Sequence, residues 1–170
     1  MRTSELLIII PAYNESGNIE KTIKMIKEHT PEFDYVIIND CSTDNTLDIC
    51  KRNQFNVIDL PINLGIGGAV QTGYQYAGRH GYQYAVQVDG DGQHNPEFIK
   101  KMLEVLQEQE VNMVIGSRFI ENQGFQSSFL RRVGITFFEK LIKILTGQKV
   151  TDPTSGLRVA DRKVIEEFAK

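Results

Sequence analysis

The sequence has few cysteines, no long hydrophobic run and little net charge, and each deficit excludes a class of protein. Its two cysteines, Cys41 and Cys50, match neither a zinc knuckle nor a CxxC redox pair, so reduced thiols in a cytosolic protein are the simplest interpretation. The apolar run at residues 6–10 is too short for a signal peptide or a membrane span. A formal charge of −3 offers no general attraction to nucleic acid, and no nucleic-acid partner is expected.

Short apolar runs alternate with segments of helical period. The expected strands are rich in β-branched residues and lie at residues 6–10, 35–38, 56–60, 85–88 and 113–115. Apolar residues at helical spacing separate them, as at Ile19, Ile23 and Ile26, and at Phe98, Met102, Val105 and Leu106. This alternation predicts an α/β fold with a mainly parallel central sheet flanked by helices, and 170 residues suit one domain, residues 1–170.

Ligands of such sheets bind beyond the carboxyl ends of the strands, and the loops found there are unusually polar. After the first run, Pro11 is expected to stop the strand, and Tyr13, Asn14 and Glu15 suit a nucleobase. A turn in which Asn14 or Ser16 caps the next helix accounts for the same residues equally well. After the second run, Asp40 is placed to accept a hydrogen bond from a base or ribose, and a partly buried carboxylate at a strand end needs such a partner.

Two glycine-containing loops are the next candidates. The loop at residues 63–69 carries Gly65 before a helical period, which is weak evidence for phosphate binding because it lacks the Lys-Ser/Thr of a P-loop. The loop after the fourth run carries Asp89 and Asp91, with Gln93 following, and these oxygens can hold one hard cation such as Mg²⁺ or Mn²⁺. A plain Asp-Gly turn is an equal alternative when the pair is considered alone.

Six motifs in order resemble family 2 glycosyltransferases with the GT-A fold, in particular dolichol-phosphate mannosyltransferases and bacterial polyprenyl-phosphate glycosyltransferases. They begin at Pro11, Asn39, Asn63, Asp89, Gly116 and Asp152 and read PAYNE, NDCSTDNT, NLG, DGDGQH, GSR and DPTSGLR. The resemblance departs at Asn39, usually a second Asp in the family, and at Cys41, commonly Gly. It implies a Rossmann-like sheet and a glycosyltransferase that is expected to use a nucleotide-sugar donor and a divalent metal.

The resemblance also assigns roles to residues. Nucleotide contacts fall to Pro11, Tyr13, Glu15 and Asp40. Further candidates are Asn14 and Ser42 on the same loops and Gly65 on the loop at residues 63–69. The metal and diphosphate site falls to Asp89, Asp91 and Gln93. Contacts to an acceptor phosphate fall to Arg118, Arg131 and Arg132, with a surface ion pair as the alternative role of Arg132. Asp89, Asp91, Arg118 and Arg131 are therefore the expected catalytic set, with Mg²⁺ or Mn²⁺ as cofactor.

The expected reaction is inverting transfer to a polyprenyl or dolichyl phosphate at the cytosolic face of a membrane. A lipid phosphate is already largely anionic near neutrality, which suits a chain whose three histidines offer no obvious general base. The helical segment at residues 131–145 suits core burial and peripheral membrane contact equally. Two alternatives stay open: transfer to a glycan hydroxyl with Asp152 as base, and a non-catalytic nucleotide-sugar binding module. Relatives usually continue further, so this catalytic domain is expected to lack a C-terminal extension or membrane segment, and a homo-oligomer is also compatible with the sequence.

Overall fold

A computed structural model describes residues 4–90, 96–116 and 156–170 of the chain. Its six strands are β1 Leu6–Ala12, β2 Asp34–Asn39, β3 Val57–Asp59, β4 Tyr84–Gln87, β5 Met113–Ile115 and β6 Arg158–Asp161. The helices of the described residues are α1 Ile19–His29, α2 Thr46–Arg52, α3 Gly65–Arg79, α4 Glu97–Glu108 and α5 Arg162–Phe168. All five strands expected from the sequence are present, and β6 is an addition.

The strands form one sheet in the order β3-β2-β1-β4-β6-β5. The pairs β1–β2, β1–β4 and β2–β3 are parallel, whereas β6 runs antiparallel to both β4 and β5. The mainly parallel sheet is therefore confirmed for β1 to β4, and the far edge makes it mixed. The central strand β1 is buried along all seven residues, which is why it reads as a continuous apolar run rather than an alternation.

Helices cover both faces of this sheet. On one face Leu6, Ile8 and Ile10 pack with α1, α2 and α4. On the other face Leu7 and Ile9 pack with α3 and α5. The chain moves outward from β1 to β3 through α1 and α2, then returns through α3 to β4 on the opposite face. The order therefore switches direction between β1 and β4, and such a switch opens a crevice at the carboxyl ends of the strands.

Close approach between α3 and β1 depends on one glycine. A Cβ on Gly73 would lie 2.2 Å from Cγ2 of Ile9, well inside van der Waals contact. The backbone of α3 consequently lies directly on the β1 side chains, and this fixes the start of the helix beside the crevice.

Pro11 does not stop the first strand, contrary to the sequence prediction. It lies within β1, in register with Ile38 of β2. Pairing of β1 with β4 has ended by then, since the last registered pair is Ile9 with Gln87. The Ile9 carbonyl accepts the Val88 amide at 3.0 Å, so Ile9 points its backbone groups towards β4. Backbone groups alternate sides along a strand, so Pro11, two residues later, also faces the β4 side, at a point beyond the last β1–β4 pair. The proline therefore removes no hydrogen bond from the sheet.

Candidate active site

A cavity of about 270 Å³ lies at the carboxyl ends of β1, β2 and β4, at the crevice that the strand order opens. Three strand ends and the first turns of α3 supply its walls. The lining residues are Pro11, Ala12, Tyr13, Glu15, Asp40, Ile66, Ala69, Asp89 and Gly90. Five of the residues expected from the sequence, Pro11, Tyr13, Glu15, Asp40 and Asp89, are thus brought to one cavity.

Asp40 is a nearly buried carboxylate on the wall of this cavity, with 3% of its surface exposed. Its Oδ1 accepts a hydrogen bond from the Leu64 amide at 2.7 Å. Its own amide donates to the Ala12 carbonyl at 2.9 Å, and its carbonyl accepts from Nδ2 of Asn63 at 3.1 Å. Within residues 4–90, 96–116 and 156–170 no hydrogen bond reaches its second oxygen, Oδ2. A buried carboxylate with one unoccupied oxygen is suited to a ligand that brings a donor.

Asn14 and Ser42 join the loops after β1 and β2. Asn14 has a left-handed backbone, with φ 57°, and its Oδ1 accepts the Thr43 amide at 2.8 Å and the Asp44 amide at 3.3 Å. Its amide donates to Oγ of Ser42 at 3.0 Å. These contacts hold the two loops together, and neither side chain lines the cavity. The alternative role of Asn14 or Ser16 as a helix cap is wrong, because α1 begins at Ile19 with Asn18 in the cap position.

Asp44 also joins the loops after β1 and β2. Its two oxygens accept the Ser16 amide at 3.1 Å and the Thr46 amide at 2.9 Å, and Oγ1 of Thr46 accepts the Glu15 amide at 2.9 Å. Burial alone would raise the pKa of Asp44, but the hydrogen bonds from Thr46 and Ser16 outweigh it and lower the pKa to about 2. The ionised carboxylate thereby fixes the backbone of the loop that carries Glu15.

Asp89 stands at the end of β4 on the opposite side of the cavity from Asp40. Its Oδ1 accepts a hydrogen bond from Nε2 of Gln87 at 3.1 Å. Its carboxylate lies against Gly156, where a Cβ would be only 2.2 Å from Oδ2. The following Gly90 is buried, and its carbonyl accepts from Oγ1 of Thr22 at 2.9 Å. The hydrogen bond from Gln87 and the close packing of Gly156 against the carboxylate thus fix the position of Asp89.

Several expected residues lie outside the described residues: Asp91, Gln93, Arg118, Arg131 and Arg132. The metal cluster is accordingly represented by Asp89 alone, and within the described ranges no group of three His, Cys, Asp or Glu side chains could hold a metal ion. The segment at residues 131–145, considered for membrane contact, also lies outside them. Among the helices that the structure describes, none has the length and apolar character needed to cross a bilayer.

Residues 7–168 match the glycosyl transferase family 2 model. The chain belongs to that family. The prediction of a glycosyltransferase is therefore confirmed, and the sequence resemblance with it.

Two similar proteins are transferases whose names include a polyprenyl or dolichyl phosphate. An undecaprenyl-phosphate mannosyltransferase of Micrococcus luteus is 30% identical over 90% of this chain and 65% of its own length. The UDP-N-acetylglucosamine–dolichyl-phosphate N-acetylglucosaminyltransferase of Methanococcus voltae is 31% identical over 97% of this chain and 72% of its own length. The chain spans about two thirds of the length of these curated relatives.

Solved structures share the fold. The glucosyl-3-phosphoglycerate synthase of Mycobacterium tuberculosis, crystallised with Mn²⁺, UDP and glucosyl-3-phosphoglycerate, superposes with a TM-score of 0.71 at 20% identity over 94% of this chain and 57% of that one. The Staphylococcus aureus protein TarS with UDP gives a TM-score of 0.64 at 22% identity over 95% and 48%. The GT-A fold prediction is confirmed.

A hydrogen bond accounts for one departure from the family-2 pattern, at Asn39, whereas the backbone at Cys41 is of the kind that favours the usual glycine. Nδ2 of Asn39 donates to Oδ1 of Asp59 at 2.7 Å, so the amide provides a donor that an Asp at this position could not offer in its ionised form. Cys41 has φ 56°, a conformation in which glycine carries no steric penalty. The cysteine keeps the left-handed backbone that a glycine would adopt more easily.

Four of the residues that line the cavity were not predicted as site residues: Ala12, Ile66, Ala69 and Gly90. Of the predicted residues that the structure describes, three do not line it: Asn14, Ser42 and Gly65. Ile66 and Ala69 line the wall from the first turns of α3, and Gly156 supports Asp89. Apolar residues at the start of a helix carry no signal of ligand contact, whereas Gly156 lay inside a motif of the resemblance without a role. The amide of Gly65 donates to Oδ1 of Asn63 at 3.1 Å, so it closes the loop rather than lining the cavity.

Proposed function

We propose that this chain transfers a sugar from a nucleoside diphosphate sugar to a polyprenyl or dolichyl phosphate at the cytosolic face of a membrane, with a divalent metal and with inversion at the anomeric carbon. One observation carries the proposal: a single cavity has a buried carboxylate, Asp40, on one side and a second carboxylate, Asp89, on the other. The first suits a base and the second a metal-bound diphosphate. The assignments of the Micrococcus and Methanococcus relatives support the acceptor class.

The donor half of the reaction uses residues at three strand ends. Asp40 accepts a hydrogen bond from the base, and Pro11, Tyr13 and Glu15 form the adjoining wall. Tyr13 is 48% exposed, which leaves its ring available to a ligand at the cavity mouth.

Asp89 presents hard carboxylate oxygens to the cavity, and these suit Mg²⁺ or Mn²⁺. Asp91 and Gln93 would complete the donor set, and the crystallised Mn²⁺ and UDP of the mycobacterial structure support such a site. A bound divalent ion supplies positive charge to the leaving diphosphate.

The acceptor phosphate must be held in position, but it does not need to be deprotonated by the protein. A phosphate monoester has a second pKa of about 6, so its oxygen is already anionic near neutrality. That oxygen forms a bond to the anomeric carbon while the bond from this carbon to the donor diphosphate breaks, and the nucleoside diphosphate leaves with the electron pair. Arg118 and Arg131 are the side chains proposed to hold the acceptor phosphate, with Arg132 as a weaker candidate. A single displacement inverts the anomeric configuration.

The test is a transfer assay with purified protein, a panel of labelled nucleotide sugars, a short polyprenyl phosphate and either Mn²⁺ or Mg²⁺. We expect a polyprenyl-phosphate sugar of inverted configuration, and EDTA should abolish it. Asp89→Asn should reduce the rate by at least about 100-fold, since it weakens a ligand of the metal. Asp48→Asn, an exposed carboxylate on α2, is the matched control and should retain the rate.

Two outcomes would contradict the proposal. Transfer at an equal rate in EDTA would show that the reaction does not need a divalent metal. Transfer to glycan hydroxyls with none to polyprenyl phosphate would replace the acceptor class.

A further inference from the structure

Thr22 places a buried hydroxyl on α1, with 1% of the residue's surface exposed. Its Oγ1 lies 2.9 Å from the carbonyl oxygen of Gly90, just after β4, and 3.1 Å from that of Asn18, one turn earlier in the chain. A hydroxyl has one proton to donate. The Asn18 carbonyl already accepts the Thr22 amide at 2.9 Å, whereas within residues 4–90, 96–116 and 156–170 only Thr22 donates to the Gly90 carbonyl. The hydroxyl proton is therefore assigned to the bond with Gly90.

Gly90 stands between the two acidic residues of the expected metal site. Asp89 before it lines the cavity, and Asp91 follows it in the sequence. Gly90 is buried and packs closely on the end of β1, where a Cβ would lie 3.1 Å from the Pro11 carbonyl oxygen. Its own carbonyl belongs to the planar peptide group that joins it to Asp91. A glycine backbone rotates with little hindrance, so the hydrogen bond from Thr22 sets the plane of that group.

The helix that carries Thr22 is anchored on two sides. Its apolar face is buried in the core through Ile19, Ile23 and Ile26. Its beginning is tied to the cavity wall, because Nδ2 of Asn18 donates to Oε2 of Glu15 at 2.9 Å and the Glu15 carbonyl accepts the Ile19 amide at 2.9 Å. Thr22 therefore connects a fixed helix beside the nucleotide wall to the loop that begins the metal site.

Valine has the shape of threonine without its hydroxyl, so packing alone does not require a threonine at this buried position. We propose that Thr22 is a positioning residue for the metal side of the cavity: its hydroxyl orients the peptide group between Gly90 and Asp91 and thereby sets how much a divalent metal strengthens nucleotide binding. The proposal rests on the proposed function, because it concerns the metal ligands of that reaction.

Isothermal titration calorimetry separates the metal side of the cavity from the base side. The protein is titrated with UDP and with GDP, each in Mn²⁺ and in EDTA, and the nucleotide that binds more tightly is the probe. The metal enhancement is the ratio of its dissociation constant in EDTA to that in Mn²⁺. In Thr22→Val we expect this enhancement to fall by about 10- to 100-fold, as when other groups that support a metal ligand are removed, with binding in EDTA unchanged.

Three further variants sharpen the test. Thr22→Ser keeps the hydroxyl and should keep the enhancement. Thr22→Ala removes the hydroxyl with a residue of higher helix propensity, so it supplies a second measurement should Thr22→Val not fold, and it should lose the same factor. Thr30→Val is the matched control, because Thr30 is equally buried at the end of α1 and its Oγ1 donates at 2.8 Å to the Ile26 carbonyl. This control should keep the enhancement, and circular dichroism should show that each titrated variant is folded.

The outcomes separate the two proposals. An unchanged enhancement in folded Thr22→Val or Thr22→Ala would overturn the positioning role. An equal loss of binding in Mn²⁺ and in EDTA, which a purely structural role would produce, would overturn it as well, and so would a loss in Thr22→Ser as large as that in Thr22→Val. If neither nucleotide binds the unmodified chain, or if Mn²⁺ does not strengthen binding, the proposed function itself is contradicted.

Discussion

Gly156→Ala should displace Asp89 without unfolding the protein. The new Cβ would lie 2.2 Å from Oδ2 and 2.6 Å from Oδ1, whereas Cβ contacts below 3.0 Å are essentially never seen. The carboxylate must therefore move by about 0.8 Å, and the hydrogen bond from Gln87 at 3.1 Å must lengthen or break. The backbone of Gly156 does not adopt the left-handed conformation, so alanine adds no backbone strain there.

The expected effect is large on metal binding and small on stability. A catalytic group misplaced by about 1 Å can cost about 100-fold in rate, and loss of support for a metal ligand typically costs about 10- to 100-fold in affinity. We therefore expect Mn²⁺ affinity in the presence of UDP to fall by about 10- to 100-fold. Rotation of one Asp side chain from its preferred rotamer costs only about 0.5 to 1.5 kcal/mol, so the free energy of unfolding should change by no more than that.

Titration of Mn²⁺ followed by electron paramagnetic resonance measures the affinity, and urea unfolding measures the stability. Gly78→Ala is the control, because its Cβ would lie 3.8 Å from Cγ2 of Ile165, an ordinary contact of a residue within α3. This control should bind Mn²⁺ like the unmodified chain and gain a few tenths to about 1 kcal/mol from helix propensity. Unchanged Mn²⁺ affinity in folded Gly156→Ala would refute the assignment of Asp89 as a supported metal ligand.

Three further predictions concern the scaffold. Gly73→Ala should lower the free energy of unfolding by about 1–3 kcal/mol in urea, because its Cβ would overlap Ile9; equal stability would contradict the close packing of α3. The pKa of Asp44 is lowered from 3.8 to about 2, so its stabilisation is complete above pH 4 and is lost as the pH falls towards 2. Partial exposure limits that stabilisation to about 1–2 kcal/mol, and unfolding curves of Asp44→Asn should converge with those of the unmodified chain near pH 2. Asn39→Asp would place a second carboxylate beside Asp59, and repulsion between the two charges should destabilise the fold at pH 7 but not below about pH 4. A loss of stability that does not depend on pH would argue against charge repulsion.

The sheet was largely predictable because the parallel strands β1, β2 and β4 are largely buried. The central strand β1 and its neighbour β2 each contain three consecutive β-branched residues, at positions 8–10 and 36–38, and such apolar runs are typical of strands inside a parallel sheet. β6 was not predicted from the sequence, because only Val159 and Ala160 of its four residues are buried, with Arg158 and Asp161 at its ends. Two apolar residues define no period. Its place next to β4 depends on an antiparallel return that no local pattern specifies.

Residues on the loops were predictable as a set but not one by one. Asn14 was equally compatible with ligand contact and with a helix cap, and its partners are Thr43 and Asp44, about 30 residues further along the chain. A local rule for caps considers only the next turn of the chain. The hydrogen bonds that decide the role of Asn14 form only when the ends of β1 and β2 are brought side by side.

The consecutive residues Asn39, Asp40 and Cys41 show where that limit lies. Strand alternation already predicts that neighbours point to opposite faces, so Asn39 and Asp40 were bound to have different surroundings. Which of these two side chains borders the cavity depends on the loop that leads into α3, whose Leu64 amide donates to the Asp40 carboxylate. Asn39 faces Asp59 instead, and its departure from the family pattern concerns the joint between β2 and β3 rather than the base.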